Sequence, residues 1–179
     1  MKILREAKRA VAEVLRLLFP EKCAVCGRRL EQGEQVMCNA CFAGLPRTNI
    51  CAAKGNVVER LFWGKIPVER ANAYMYYQAG TASCHPIFQL KYYGRAAVGF
   101  YFGRIMAADL QQTDFFNTID CIVPVPLAKS RQQQRGYNQS ELLAEGIAEW
   151  TKLPVERSAV ERVVANPTQT HLNARQRIE

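Results

Sequence analysis

Cys23-Ala-Val-Cys-Gly-Arg-Arg-Leu-Glu-Gln-Gly-Glu-Gln-Val-Met-Cys-Asn-Ala-Cys41 holds two Cys-x-x-Cys pairs separated by eleven residues. A two-residue gap lets both thiolates of a pair face one ion from a tight turn, and two such turns supply the tetrahedral sulfur cage that zinc prefers. The metal ligands read from this spacing are Cys23, Cys26, Cys38 and Cys41. Gly27 follows the second ligand, where such a turn often needs a positive φ. Four sulfurs leave no open coordination position, so this zinc is structural rather than catalytic. Residues 21–52 are too few to build a core of their own, and metal binding would supply their folding energy. Two redox pairs or an iron–sulfur site are the rival readings of the same sulfurs. The other cysteines, Cys51, Cys84 and Cys121, read as small apolar residues.

Working outward, the chain has 179 residues, 49% apolar and 22% charged, an ordinary globular composition. The start, Met1 to Phe19, carries Arg5, Glu6, Lys8, Arg9, Glu13 and Arg16 through its middle, unlike a secretory apolar region. No stretch reaches the roughly 18 apolar residues of a membrane span. Paired cysteines without a secretion signal point to the cytoplasm. The formal net charge of +8 favours anionic partners such as nucleic acid, nucleotide phosphates or pyrophosphate, with plain solubility charge as the alternative.

Residues 1–20 read as an amphipathic helix, with Ile3, Ala7, Val11, Val14, Leu15 and Leu18 on one stripe and Pro20 as the stop. That helix would dock on its own domain or lie on a membrane or nucleic-acid surface. Residues 21–52 form the zinc ribbon, and 53–70 read as a linker. Residues 71–179 form the larger domain. Within it, Ala71–Tyr77 and Val155–Val164 are predicted strands, and Ile119–Val125 a buried strand that must end at Pro124 and Pro126. Helices are predicted over 83–92, over Phe100–Leu110, and from Asn138 to about Trp150, with Asn138 and Glu141 as a capping pair. Residues 127–137 read as a polar, basic loop, and the last fifteen residues as another loop.

Two further stretches carry a resemblance. Ile122-Val-Pro-Val-Pro-Leu127 is followed by Arg135-Gly-Tyr-Asn-Gln139, and Thr168-Gln-Thr by Arg175. With the four N-terminal cysteines and Leu90-Lys-Tyr92 before Gly94, the chain resembles the ComF family of competence-associated proteins. The resemblance implies a zinc ribbon joined to a type I phosphoribosyltransferase-like α/β domain with a mainly parallel sheet. Ile119–Val125 would be a central strand, and the following helix would pack on the sheet through Leu143 and Ile147. Arg131, Arg135, Gly136, Tyr137, Asn138 and Gln139 would form the pyrophosphate loop. Thr168, Gln169 and Arg175 would belong to the flexible loop over the substrate, and Lys91 to the substrate site. The implied ligand is phosphoribosyl pyrophosphate or pyrophosphate, with Mg²⁺ arriving alongside it. The implied cellular setting is DNA uptake.

The charge logic agrees with such a site. Breaking the sugar–pyrophosphate bond builds negative charge on the leaving group, which needs cationic or N–H donors. A helix starting near Asn138 offers free N–H groups, and Arg131 and Arg135 offer charged ones. There are two departures. Family members usually carry His three residues before the Lys of Leu-Lys-Tyr, where this chain has Phe88, with His85 three residues earlier. The sequence also has no adjacent acidic pair and no Thr-Thr-Gly, the parts that hold the sugar phosphate in the family. The domain is therefore expected to be incomplete and without turnover. A second reading is a non-catalytic accessory that binds single-stranded DNA through its charge and through Arg28, Arg29 and Arg47 of the ribbon. A third is a purely structural ribbon.

Overall fold

The computed structural model of the chain describes residues 20–50 and 53–163. The predicted N-terminal helix, Cys51, and the loop bearing Thr168, Gln169 and Arg175 lie outside the described residues. The helices are α1 (Asn39–Ala43), α2 (Val57–Arg60), α3 (His85–Tyr92), α4 (Ala97–Leu110), α5 (Lys129–Arg135) and α6 (Gln139–Thr151), with a 3₁₀ turn at Ala82–Cys84 leading into α3.

The centre of the fold is the pairing of α4 with α6. α4 buries Val98, Phe102, Ala107 and Leu110. α6 starts where Asn138 Oδ1 accepts the Ser140 N–H at 3.0 Å, satisfying one of the donors a helix start leaves open. The Asn138 side-chain amide reaches the Glu141 carboxylate at 3.2 Å, so the predicted capping pair meets side chain to side chain. The two helices touch backbone to backbone at Gly103 and Gly146. A methyl group built on Gly103 would lie 2.1 Å from the Leu143 carbonyl oxygen, and one on Gly146 2.1 Å from that of Phe100. Arg104 and Glu149 close the rim with an ion pair of 2.7 Å.

The zinc-ribbon residues join this core directly. Cys23, Ala24, Val25, Val36, Met37, Cys38 and Leu45 share one apolar cluster with Leu90, Val98 and Phe102, with Tyr74, Leu142 and Leu143 packed against it.

The predicted parallel sheet is not there. Among the described residues there is no strand, only isolated bridges. The predicted central strand, Ile119–Val125, is extended chain with one parallel bridge, Ile122 to Val155. Ile122 donates to Pro154 and accepts from Glu156, both at 2.9 Å. The pattern failed for two physical reasons. Pro124 and Pro126 have no N–H to give a ladder, and the Val125 N–H goes instead to Ser140 Oγ at 2.9 Å. Val123 and Val125 are 43% and 65% exposed, so the run is not the doubly covered strand its composition suggests. The aromatic stretch 71–77 likewise makes a single antiparallel bridge, Arg47 to Met75. α6 packs on α4, through Leu142 and Leu143, rather than on a sheet. The basic loop is another correction, because most of 127–137 is the helix α5, closed by Gly136 at φ +80°.

Residues 53–71 are folded around Glu59. Its carboxylate accepts the N–H groups of Gly55 (2.5 Å), Asn56 (3.3 Å) and Ala71 (3.3 Å). It also pairs with Arg70 at 3.2 Å. Arg70 and Lys54 both hold Asp114. Asn56 caps α2, and Asn56 with Glu59 makes a full capping box.

Candidate functional site

The four predicted ligand cysteines meet. The sulfurs of Cys23, Cys26, Cys38 and Cys41 all lie within 4.8 Å of one another. A tetrahedral cage with zinc–sulfur bonds of about 2.3 Å puts its sulfurs about 3.8 Å apart, and Cys26 and Cys38 stand at 3.9 Å. The donor set therefore fits zinc, with no protein position left open for a substrate.

The turns that build the cage also polarise it. Val25 and Cys38 donate backbone N–H groups to Cys23 Sγ, and Cys41 donates to Cys38 Sγ, each at 3.4 Å. N–H donors aimed at sulfur favour the thiolate that a metal needs. Cys38 is drawn down to about 6, first by the Cys41 N–H and then by the Arg28 guanidinium. Burial pushes the Cys41 thiol up. Gly27, at φ +76°, donates to the Cys23 carbonyl and closes the first turn. The spacer between the pairs is braced by Glu34. It accepts the N–H groups of Glu31 and Asn39 at 2.9 Å and the Arg28 guanidinium at 2.6 Å.

That brace changes the reading of the ribbon's basic residues. Arg28 is engaged by Glu31 and Glu34. Arg47 pairs with Asp109 at 3.7 Å and lies 4.3 Å from the Phe42 ring centroid. Of the three arginines expected to face nucleic acid, these two serve the fold.

A second constellation lies where α3 approaches α5. Lys91, Tyr92, Gly94, Arg131, Gln134, Arg135 and Tyr137 line an open cleft of about 390 Å³. Four sequence-predicted residues, Lys91, Arg131, Arg135 and Tyr137, thus come together from two distant segments. Arg135 sits 5.7 Å from the Tyr92 ring centroid and donates to Gln139 at 3.0 Å. Tyr137 donates its hydroxyl to the Leu90 carbonyl at 2.7 Å, tying the α5–α6 turn to α3. Gly136 supplies the left-handed residue that lets the chain turn here. Asn138 does not face this cleft. It is buried as the α6 cap and lines a separate hollow of about 290 Å³ beside Pro124, Pro126 and Arg157. The described lining of the cleft holds no carboxylate, and nothing in it supports a Mg²⁺ site. Among the described residues the four cysteines form the one group of three or more metal-ligating side chains.

A family described as "Double zinc ribbon domain" matches residues 14–70. The chain is 28% identical to DNA utilization protein YhgH of Salmonella typhimurium over 158 residues, 87% of this chain and 66% of that one. The Escherichia coli K12 protein of the same name is 29% identical over the same shares. Competence protein F of Haemophilus influenzae is 38% identical over 69 residues, 38% of this chain and 30% of that protein. These likenesses agree with the resemblance to the ComF family. It spans 66% of the length of the YhgH relatives it matches. No solved structure matches it.

The double-ribbon match extends over Asn56, Glu59 and Arg70. There a carboxylate network, rather than sulfur, ties turn to turn. Sequence reading missed that network, although Asn56-Val-Val-Glu59 carries the capping-box signature. It also missed His85, whose Nδ1 lies 2.8 Å from the Val25 carbonyl oxygen. No local pattern marks that contact, since its partner is sixty residues away in the chain. Phe88, at the position where the family carries His, stacks on Tyr92 with ring centroids 6.2 Å apart. Cys84 is buried as expected, whereas Cys121 is exposed. Among the described residues no helix is long and apolar enough to cross a membrane.

Proposed function

We propose that this protein, which resembles the ComF family, acts in the handling of DNA taken up by the cell, and that its basic cleft binds a pyrophosphate-type anion such as phosphoribosyl pyrophosphate. The observation that carries the ligand class is the convergence of Lys91, Arg131 and Arg135 on one open cleft. Guanidinium groups hold phosphate oxygens through paired, charge-assisted bonds, and an ammonium adds a point charge. The names of the relatives, DNA utilization protein and Competence protein F, support the cellular setting.

A nucleic-acid reading of the same cleft has its own support. Phe88, Tyr92 and Tyr93 are 40%, 55% and 78% exposed beside the basic residues. Exposed rings next to cations suit stacked bases and a tracked backbone. Calorimetric titration with pyrophosphate, phosphoribosyl pyrophosphate and a single-stranded oligonucleotide separates the two. Arg135→Ala is expected to weaken anion binding by about 1–3 kcal/mol, roughly 5- to 150-fold, with the fold intact. Unchanged anion affinity in that variant would reduce Arg135 to its contacts with Gln139 and Tyr92. Oligonucleotide binding that falls steeply with salt, without pyrophosphate binding, would favour the accessory reading.

A further inference from the structure

α3 is eight residues long and has no side-chain cap bond at its start. A helix of two turns has no stability of its own in water, so its position is set by what it is bonded to. Its outward end supplies one wall of the basic cleft, through Lys91 and Tyr92. Its other contacts lead to the zinc turn. His85 Nδ1 meets the Val25 carbonyl oxygen at 2.8 Å, and Gln89 Nε2 donates to the Ala24 carbonyl at 3.2 Å. Arg95, just past the helix, donates to the Gln89 side chain at 2.8 Å and to the Lys22 carbonyl. The carbonyls of Lys22, Ala24 and Val25, in and just before the first cysteine turn, therefore receive three side chains from residues 85–95. The buried Leu90 sits in the same apolar cluster as Cys23, Ala24 and Val25.

A zinc ion held by the four sulfurs would fix the shape of the turn that receives these bonds. Val25 and Ala24 lie between two of these cysteines, and their carbonyls would keep their direction with Cys23 and Cys26 sharing one ion. From α3 the constraint continues across the cleft, because the Leu90 carbonyl accepts the Tyr137 hydroxyl. We propose that the zinc turn is a positioning element for the cleft, with His85 and Gln89 the residues that transmit its order to α3 and so to Lys91 and Tyr92. The ligand named here rests on the anion reading above; the contact between turn and helix does not.

Double substitution, His85→Ala with Gln89→Ala, tests this in the full chain loaded with zinc. Neither residue touches a sulfur, so zinc content by elemental analysis should stay at one per chain. Hydrogen exchange should quicken at residues 89–95 and at 136–138, while the amides of α4 and α6 beyond the first turn keep their protection. Pyrophosphate should bind about five-fold more weakly, as expected if the cleft is in its binding form about a fifth of the time. His85→Asn, which can place a side-chain nitrogen near the former Nδ1, should restore most of the wild-type exchange when Gln89 is retained. Unchanged exchange at 89–95 in the double variant would overturn the proposal. Uniformly faster exchange throughout α4 and α6 would also overturn it, by making the contact general support. If wild-type protein binds no pyrophosphate, the anion reading falls, and the exchange result still decides whether the zinc turn orders α3.

Discussion

Replacing Gly103 by alanine would put a methyl carbon 2.1 Å from the Leu143 carbonyl oxygen, 3.0 Å from Gly146 Cα and 3.0 Å from the Ile147 nitrogen. A carbon settles against a carbonyl oxygen at about 3.3–3.6 Å. The two helices must therefore part by roughly 1.2–1.5 Å at the crossing. None of the three nearest atoms is the end of a flexible side chain, so nothing local can swing away. Overpacking a tight contact costs about 1–3 kcal/mol and occasionally more. Alanine returns about 1 kcal/mol through its better helix propensity. With backbone on both sides of the clash the upper end applies, and a net loss of about 2 kcal/mol follows. For a chain of this size that lowers Tm by about 4–8 °C. Thermal and urea unfolding followed by circular dichroism would measure it. Zinc content should stay unchanged, because the clashing atoms belong to Leu143, Gly146 and Ile147 and none to the cysteine turns. Gly27→Ala is the control: no atom lies within 4 Å of its added methyl, and only its φ of +76° opposes it. A Gly103→Ala protein as stable as wild type would mean that the helices do not approach backbone to backbone.

The metal predicts one zinc per chain by elemental analysis, and Cys23→Ser is expected to lose it together with cooperative unfolding; retention of full zinc would refute the four-sulfur site. Acid should act through the network around Glu59. Lys54 and Arg70 hold Asp114 down at about 2, below its ordinary value of 3.8. A depressed carboxyl adds stability above its unfolded value, which is lost as pH falls through its folded one. Asp114→Asn should thus melt below wild type at pH 6, with the gap closing from about pH 4 to about pH 2. A gap that stays constant over that window would remove Asp114 from the stabilising ion pairs.

The elements that sequence made legible are those whose signal is local. Asn138 before a run of good helix formers marks α6, and Pro86 near the start of α3 marks that helix, because caps and proline act on the nearest few N–H groups. The cysteine cage was legible for the same reason, since its geometry lies in two short turns. The sheet was inferred from apolar composition and resemblance, and composition does not say what will lie beside a strand. Ile122 has one neighbour in Val155, and the valines after it face outward. Residues 129–135 misled in the opposite sense. Lysine, arginine and glutamine are good helix formers, so a polar run without an apolar stripe looks like a loop yet closes a helix once Gly136 can take the left-handed turn.

Charge was the least legible property, because a count says nothing about partners. The excess of eight positive charges suggested a basic ribbon face. In the folded chain Arg28 braces the cysteine spacer, Arg47 joins Asp109 and Phe42, and Arg70 clasps Glu59 and Asp114. Arg104 and Arg157 pair with Glu149 and Glu145 of α6. Each of those cations is neutralised close by and adds little field beyond a Debye length of about 8 Å. In the cleft Lys91 and Arg135 stand together, and its described lining holds no carboxylate. An anion at the proposed site would be drawn by the local arrangement of charge more than by the total. Its binding should fall with salt according to the few charges it meets at the cleft.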